Sequence, residues 1–264
     1  MSMDRFFSGE MLWGDDFTED ERAAWFADEA EASIDLEGNL LRGDYPWAEQ
    51  QRRHGFDHLP DVSWRHVVGF GSAFGVELRP LRAERATIVE STTRYEADPG
   101  LRFAVEYLRA EATGDIRLRN GSADLVICFG ALHHVPNVSH VLGEFGRVLE
   151  SGGYLALVEP ITSMGDWRTN RPGLTPRERG LPLEWTRAAL ADASFEIRRE
   201  GLFGFAPIRI AGKLMRGSPY NSRAVVRADE AICRLLRGSV KYHTTSKIKK
   251  LLRPKSAMWV AQRR

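Results

Sequence analysis

The sequence predicts an α/β protein: a doubly wound, mostly parallel seven-stranded sheet with an N-terminal helical segment and an insertion before the last strand. Three observations predict it. Short continuous apolar runs recur from residue 65 onward, as strands buried on both faces require. Helical patterns fall between several of those runs. Glycine-punctuated turns follow the runs where open α/β sheets carry their ligand loops.

The first element is "FTEDERAAWFADEAEASIDL" (17–36), where Thr18 stands three residues before Glu21, the spacing of a capping box. Ala24, Trp25, Phe26 and Ala27 give this helix an imperfect apolar side. A weaker helix is expected over 44–54. Strands are expected at 65–70, 86–90, 102–108, 123–129, 153–159, 194–200 and 258–263, and helices at 74–83, 138–149 and 184–192. Pro99-Gly100, Asn120-Gly121 and Gly152-Gly153 punctuate the series. The organisation that follows is a helical cap over 1–60, a core over 61–203, a basic insertion over 204–255 and the last core strand over 256–264.

With 264 residues, 43% hydrophobic and 28% charged, the chain has the make-up of a soluble globular protein. No apolar run approaches the roughly 20 residues that cross a bilayer. The acidic start "MSMDRFFSGEMLWGDD" lacks a basic-then-apolar secretion pattern, so a cytoplasmic protein is expected. Cys128 and Cys233 are too few for a disulfide framework or a cysteine-rich metal site, and Cys128 reads as a small buried residue. The net charge of +1 conceals an asymmetry: residues 1–40 hold twelve acids and two bases, residues 213–264 fourteen bases and two acids. This describes either two solvated faces or a basic segment that helps to hold an anionic substrate or an acidic surface.

The loop "GFGSAFG" places glycines at 69, 71 and 75 after the first strand. A dinucleotide fingerprint needs G-x-G-x-x-G, and these glycines miss that spacing, which removes a nicotinamide oxidoreductase. Glu90 ends the next strand, nineteen residues after Gly71, where an acid accepts hydrogen bonds from the ribose hydroxyls of an adenosine-containing ligand.

Residues 109–160 are more specific. Glu111, then Ser122-Ala123-Asp124-Leu125-Val126, Leu132-His133-His134-Val135, Arg147-Val148-Leu149 and Ser151-Gly152-Gly153 occur in one order over about fifty residues. This block closely resembles the central part of class I S-adenosylmethionine-dependent methyltransferases (the type 11-like group), over roughly residues 64–200 and the last strand. The resemblance implies S-adenosylmethionine as cofactor. It implies that Gly69, Gly71, Ala73 and Gly75 form the loop beside the methionine part and that Glu90 binds the ribose. Glu111 would contact the adenine amino group, with the Ala112 amide beside it, and Phe129 and Gly130 would line the pocket near the sulfonium. The sequence departs from the family where Gly69 replaces a common Asp and Ala73 replaces the central glycine. A non-catalytic binding protein on the same fold is the alternative those departures motivate.

Methyl transfer is a direct displacement that rewards alignment, and a hydroxyl acceptor must also lose a proton. His133 and His134 follow the fourth strand at the expected crevice and are candidate bases, as is Asp166. No metal is expected, because adjacent side chains diverge and no carboxylate stands at ligand spacing from the two histidines. The long loop 159–185 is a candidate lid, with Trp167 to stack on an acceptor and Arg168, Arg171 and Arg179 to pair with its anionic groups. The expected reaction is O-methylation of a small polar acceptor of sugar, nucleotide-sugar or glycan type. Nucleic acid is a weaker alternative, since the fourth strand leads into "FGALHH" and no aromatic-basic platform accompanies the basic segment. Homo-oligomerisation is left open.

Overall fold

The computed structural model describes residues 3–34, 45–92, 94–169, 171–214 and 218–264. Its elements run α1 (Asp4–Ser8), α2 (Glu19–Ile34), α3 (Ala48–His54), β1 (Trp64–Phe70), β2 (Ala83–Glu90), β3 (Ala104–Arg109), β4 (Ala123–Phe129), α4 (Val138–Val148), β5 (Leu149–Pro160), α5 (Leu183–Asp192), β6 (Phe195–Phe203), α6 (Ala206–Leu214), α7 (Arg223–Leu235), α8 (Lys247–Leu251) and β7 (Ser256–Arg263). The seven strands form one sheet in the order β3-β2-β1-β4-β5-β7-β6. All neighbours are parallel except β7, which runs antiparallel to both β5 and β6.

Each central strand feeds both faces of the sheet with alternate residues, as the period of two dictates. In β4, Val126 and Cys128 join the core cluster under α4, while Leu125 and Ile127 join the cluster on the opposite face. Helix α4 presents Val138, Val141, Leu142, Phe145 and Val148, the three-and-four spacing of an amphipathic helix, and all are buried. The opposite face is covered near β6 and β7 by α3 and α7, with His54 tilted on Phe203 at 5.3 Å between ring centres. The capping box at the start of α2 forms: Thr18 N donates to Glu21 Oε2 at 2.9 Å and Glu21 N to Thr18 Oγ1 at 3.4 Å. Residue 44 and residues 35–36, the ends of the two expected N-terminal helices, lie outside the described residues. Among the described residues no helix is long and apolar enough to cross a membrane.

One expected element is absent. The helix read over 74–83 is a single 3-10 turn, Val76–Leu78. Gly75 enters that turn in the left-handed region (φ +75°), and Pro80 follows five residues later. A left-handed residue before the turn and a proline that disfavours helix in the residue preceding it leave room for little more than one turn. Val76, Glu77 and Leu78 are all buried in consequence. Burial pushes the Glu77 carboxyl up to about 7.

Because that value lies above the ordinary 4.5, the protonated form favours the fold. Its contribution is complete below about pH 4.5 and is lost as the pH rises through about 7. Glu77→Gln is therefore expected to flatten the fall in stability across that interval and to exceed the parent above it. Urea denaturation at about pH 5 and about pH 8 checks this, and a variant with the parent's pH slope contradicts it.

Candidate functional site

The strand order reverses between β1 and β4, and a cleft opens there at the carboxyl ends of the strands, where open α/β sheets bind ligands. Its volume is about 240 Å³. Phe70, Gly71 and Ala73 contribute from β1 and its loop, Val89, Glu90 and Ser91 from the end of β2, Ala110 from beyond β3, and Gly130 and Ala131 from beyond β4. A narrower lobe of about 40 Å³ shares Phe70, Ala110 and His134 with it and adds Glu111, Ala112, Asp115 and Asn137. Phe26 and Glu29 of α2 and Thr175 of the loop after β5 close the outer side.

Glu90 is the fixed point of the inner wall. Its Oε1 accepts from Ala73 N at 2.5 Å and its Oε2 from Ser91 N at 3.3 Å. Burial raises its pKa against the pull of those two amides. Tyr107 holds the same loop from the other side, donating to the Ala73 carbonyl at 2.8 Å. Gly71, Ala73 and Gly75 all have positive φ, at +67°, +45° and +75°. For Ala73 this is a conformation that costs an L-residue roughly 1–2 kcal/mol.

The expected loop residues divide by direction. Gly71 and Ala73 line the cleft, but a Cβ at Gly75 would meet Ile88 and Leu101 in the core, and one at Gly69 would meet Ser72. Phe129 packs with the cluster on the far face, edge-on to Phe56 at 5.8 Å, whereas Gly130 lines the cleft. Glu111 and Ala112 line the narrow lobe, where Glu111 also pairs with Arg117 at 2.6 Å.

Three carboxylates meet the turn after β4. Fully buried Glu159 accepts from Ala131 N at 3.0 Å and Leu132 N at 2.6 Å through Oε1, and its Oε2 lies 2.7 Å from His133 Nδ1. Glu29 Oε2 lies 2.8 Å from His134 Nδ1, and its Oε1 accepts from Thr175 Oγ1 at 2.6 Å. Glu178 Oε1 stands 3.6 Å from His133 Nε2. Burial alone would lower the His134 pKa, but the Glu29 hydrogen bond and the charges of Glu29, Glu178 and Glu159 more than offset it and raise the pKa. His134 lines the cleft; His133 sits behind it, its ring centre 4.1 Å from that of His134. The adjacent rings therefore do not diverge, and a carboxylate does accompany them, correcting both grounds on which a metal was not expected.

The loop 159–185 is tied down by the residues expected to meet an acceptor. Trp167 is buried in a stack between Phe7 (4.7 Å) and Trp13 (5.1 Å), with its Nε1 donating to the Ser163 carbonyl. Arg168 grips Asp166 at 2.6 and 2.8 Å and lies over the Phe7 ring. That pairing holds Asp166 down at about 2, a poor base, and Asp166 does not line the cleft. Arg171 is buried and donates to the carbonyls of Thr175, Pro176 and Glu178. Arg179 has no exposure, and its guanidinium donates to the carbonyls of Trp13, Leu132, His133, Val135 and Pro136. All four side chains expected on an acceptor serve the loop instead.

Residues 66–157 match the family model of a methyltransferase domain. An S-adenosylmethionine-dependent methyltransferase from Mesorhizobium loti is 18% identical, with 82% of this chain and 98% of that one aligned at a TM-score of 0.54. A possible histamine N-methyltransferase from Thermotoga maritima is 14% identical over 91% of this chain and all of that one, with the same TM-score of 0.54. A putative methyltransferase from Haloferax volcanii, solved in complex with the activator Trm112, is 14% identical over 92% and 97% of the two chains, also at 0.54. These likenesses show the fold. No curated protein sequence matches the chain.

Two substitutions test the inner wall. A Cβ added at Gly71 would stand 2.3 Å from the Ala131 Cβ, at a φ of +67°. Gly71→Ala is therefore expected to lose about 2 kcal/mol or more, while Ala73→Gly gains up to about 1 kcal/mol by relieving its left-handed backbone. Chemical denaturation of both variants checks the pair, and a Gly71→Ala variant as stable as the parent or a destabilised Ala73→Gly variant contradicts this account of the loop.

Proposed function

We propose that the chain, whose residues 66–157 match a methyltransferase domain, is a class I S-adenosylmethionine-dependent methyltransferase that O-methylates a small polar acceptor in the cytoplasm. One observation carries the acceptor side of this reading: the cleft that begins at Glu90 ends in a polar mouth built from His134, Glu29 and Thr175. A hydroxyl entering there meets both hydrogen-bond donors and acceptors, as a sugar-type acceptor needs.

The residues present fit the cofactor. Glu90 is aimed into the cleft, and its carboxylate accepts paired ribose hydroxyls in exchange for loop amides. In the narrow lobe the buried Asn137 Oδ1 has no hydrogen-bond partner among the described residues, while its Nδ2 donates to the Thr113 carbonyl at 2.6 Å. An adenine amino group there would satisfy that orphan acceptor, beside Glu111 and the Ala112 amide. Gly130 leaves the space near the sulfonium open, since a Cβ there would come no closer than 3.6 Å to His133.

When bound, the cofactor supplies an electrophilic methyl carbon on a sulfonium, a good leaving group. The chain supplies alignment: Gly71, Ala73 and Glu90 hold one reactant, and Thr175, Glu29 and His134 orient the other, with α2 covering the outer side. An acceptor hydroxyl held beside His134 and Thr175 would be placed to receive that methyl and to release its proton to water at the mouth of the cleft. Carboxylates of Glu29, Glu90 and Glu111 along the cleft favour a small neutral molecule over a nucleic-acid backbone. The same carboxylates favour a second reading, an amine acceptor. The free, buried Cys128 and Cys233 suit a reducing compartment.

Incubation with methyl-labelled cofactor and a panel of polyols, sugars and amines tests the reading, with methyl ethers as the expected products; label only on nitrogen supports the amine instead. Glu90→Ala is expected to weaken cofactor binding about tenfold to a hundredfold, the worth of hydrogen bonds to a charged group. Calorimetry with S-adenosylhomocysteine reads this directly, and unchanged affinity removes Glu90 from the site.

A further inference from the structure

We propose that His133, His134 and Glu178 form a binding site for a divalent transition metal of the zinc class, set in the wall of the cleft. One ring nitrogen of each histidine and a carboxylate oxygen of Glu178 all lie within 4.8 Å of one another. Two imidazoles and one carboxylate are a recurrent donor set for catalytic zinc, which leaves a fourth position for water or substrate. With metal–ligand bonds of about 2.0–2.2 Å, tetrahedral ligands stand roughly 3.3 Å apart. His133 Nε2 and Glu178 Oε1 are already 3.6 Å apart.

The surroundings are those of a metal site rather than of a chance cluster. Each histidine places Nδ1 against a carboxylate, His133 on Glu159 at 2.7 Å and His134 on Glu29 at 2.8 Å. Carboxylates at that nitrogen fix the tautomer, leave the lone pair on Nε2 and raise its basicity, the arrangement found behind metal-bound histidines. Glu178 is fixed as well: Thr175 N donates to its Oε2 at 3.1 Å and Arg171 to its backbone carbonyl at 2.5 Å, so Oε1 is left for a cation. Three carboxylates, Glu29, Glu159 and Glu178, converge on two imidazoles in a largely buried space, and a dication balances that charge. His134 and Thr175 also line the cleft, which puts the open coordination position on the acceptor side.

Metal binding stands independently of the methyl-transfer reading; its use in catalysis rests on it. An acceptor hydroxyl coordinated there becomes more acidic, gives its proton to water and presents an alkoxide to the methyl carbon.

The full chain, stripped with a chelator and titrated with Co²⁺, tests the site by its visible absorption. The expected result is one equivalent bound, with the intense bands of a four- or five-coordinate ion, displaced by Zn²⁺. Glu178→Gln, which retains an oxygen for Thr175 N, should lower the affinity at least tenfold with an unchanged melting temperature for the metal-free protein. Glu159→Gln should lower it about 10–100-fold by loosening His133. Absence of the bands in the parent, or the same affinity in parent and Glu178→Gln, overturns the site. Binding of S-adenosylhomocysteine, measured on the metal-free protein, separates that failure from failure of the methyltransferase reading.

Discussion

Arg179 lies at the centre of the molecule's working half with no surface exposed, and its guanidinium reaches five carbonyls on two stretches of chain far apart in sequence. Four of them, on Leu132, His133, Val135 and Pro136, belong to the turn after β4; the fifth is that of Trp13. A planar group with five donors can tie these together, and a lysine in its place could satisfy only three. Burial draws its pKa down to about 10, so the charge persists at neutral pH. The positive end is matched by carbonyl dipoles and by the Trp25 ring, 5.1 Å from the guanidinium carbon. Arg179 therefore ties the histidine turn and the N-terminal segment to the loop after β5.

The cleft's outer wall depends on that tie. Trp25 Nε1 donates to the His134 carbonyl at 2.7 Å, Glu29 joins His134 to Thr175, and Asp28 pairs with Arg177 at 2.6 Å. Trp25, Asp28 and Glu29, about one turn of α2, thus meet both the turn after β4 and the loop 159–185. The aromatic stack of Phe7, Trp167 and Trp13 continues the same seam toward α1. A mouth assembled from three distant segments can be shaped by changes in any of them, while the inner wall, made by strand ends, stays constant.

This division also explains what the sequence made legible. The strands could be read because both faces of each central strand are buried, so the apolar runs are continuous in the chain itself, as over residues 125–129 of β4. Glu90 could be read because a strand end fixes its direction. Glu29, Asn137, Glu159 and Glu178 went unread: each is one acid or amide among many, and its role comes from partners 24 or more residues away. Asn137 even stands at the N-cap of α4, where its side chain would ordinarily cap the helix, and it makes no such bond. The arginines and Trp167 misled for the opposite reason. Their chemistry suits a ligand, but a long loop has few apolar residues with which to anchor itself: Arg171 holds the loop's own carbonyls, Arg168 its Asp166, and Arg179 the carbonyls of Trp13 and the turn after β4.

The loop after β1 carries the clearest statement of what the inner wall accommodates. A pyrophosphate site relies on the N-terminus of a helix that begins at the glycine loop, whose free amides and dipole meet the negative charge. Here Gly75 and Pro80 reduce that helix to one 3-10 turn, and the buried Glu77 within it adds an acid rather than a positive end. The loop amide of Ala73 turns instead to the Glu90 carboxylate. The Glu90 carboxylate in that wall disfavours phosphate, so the loss of the helix and the glycine spacing that departs from a dinucleotide fingerprint are two expressions of one preference. It suits a nucleoside ligand that carries a sulfonium in place of a phosphate chain.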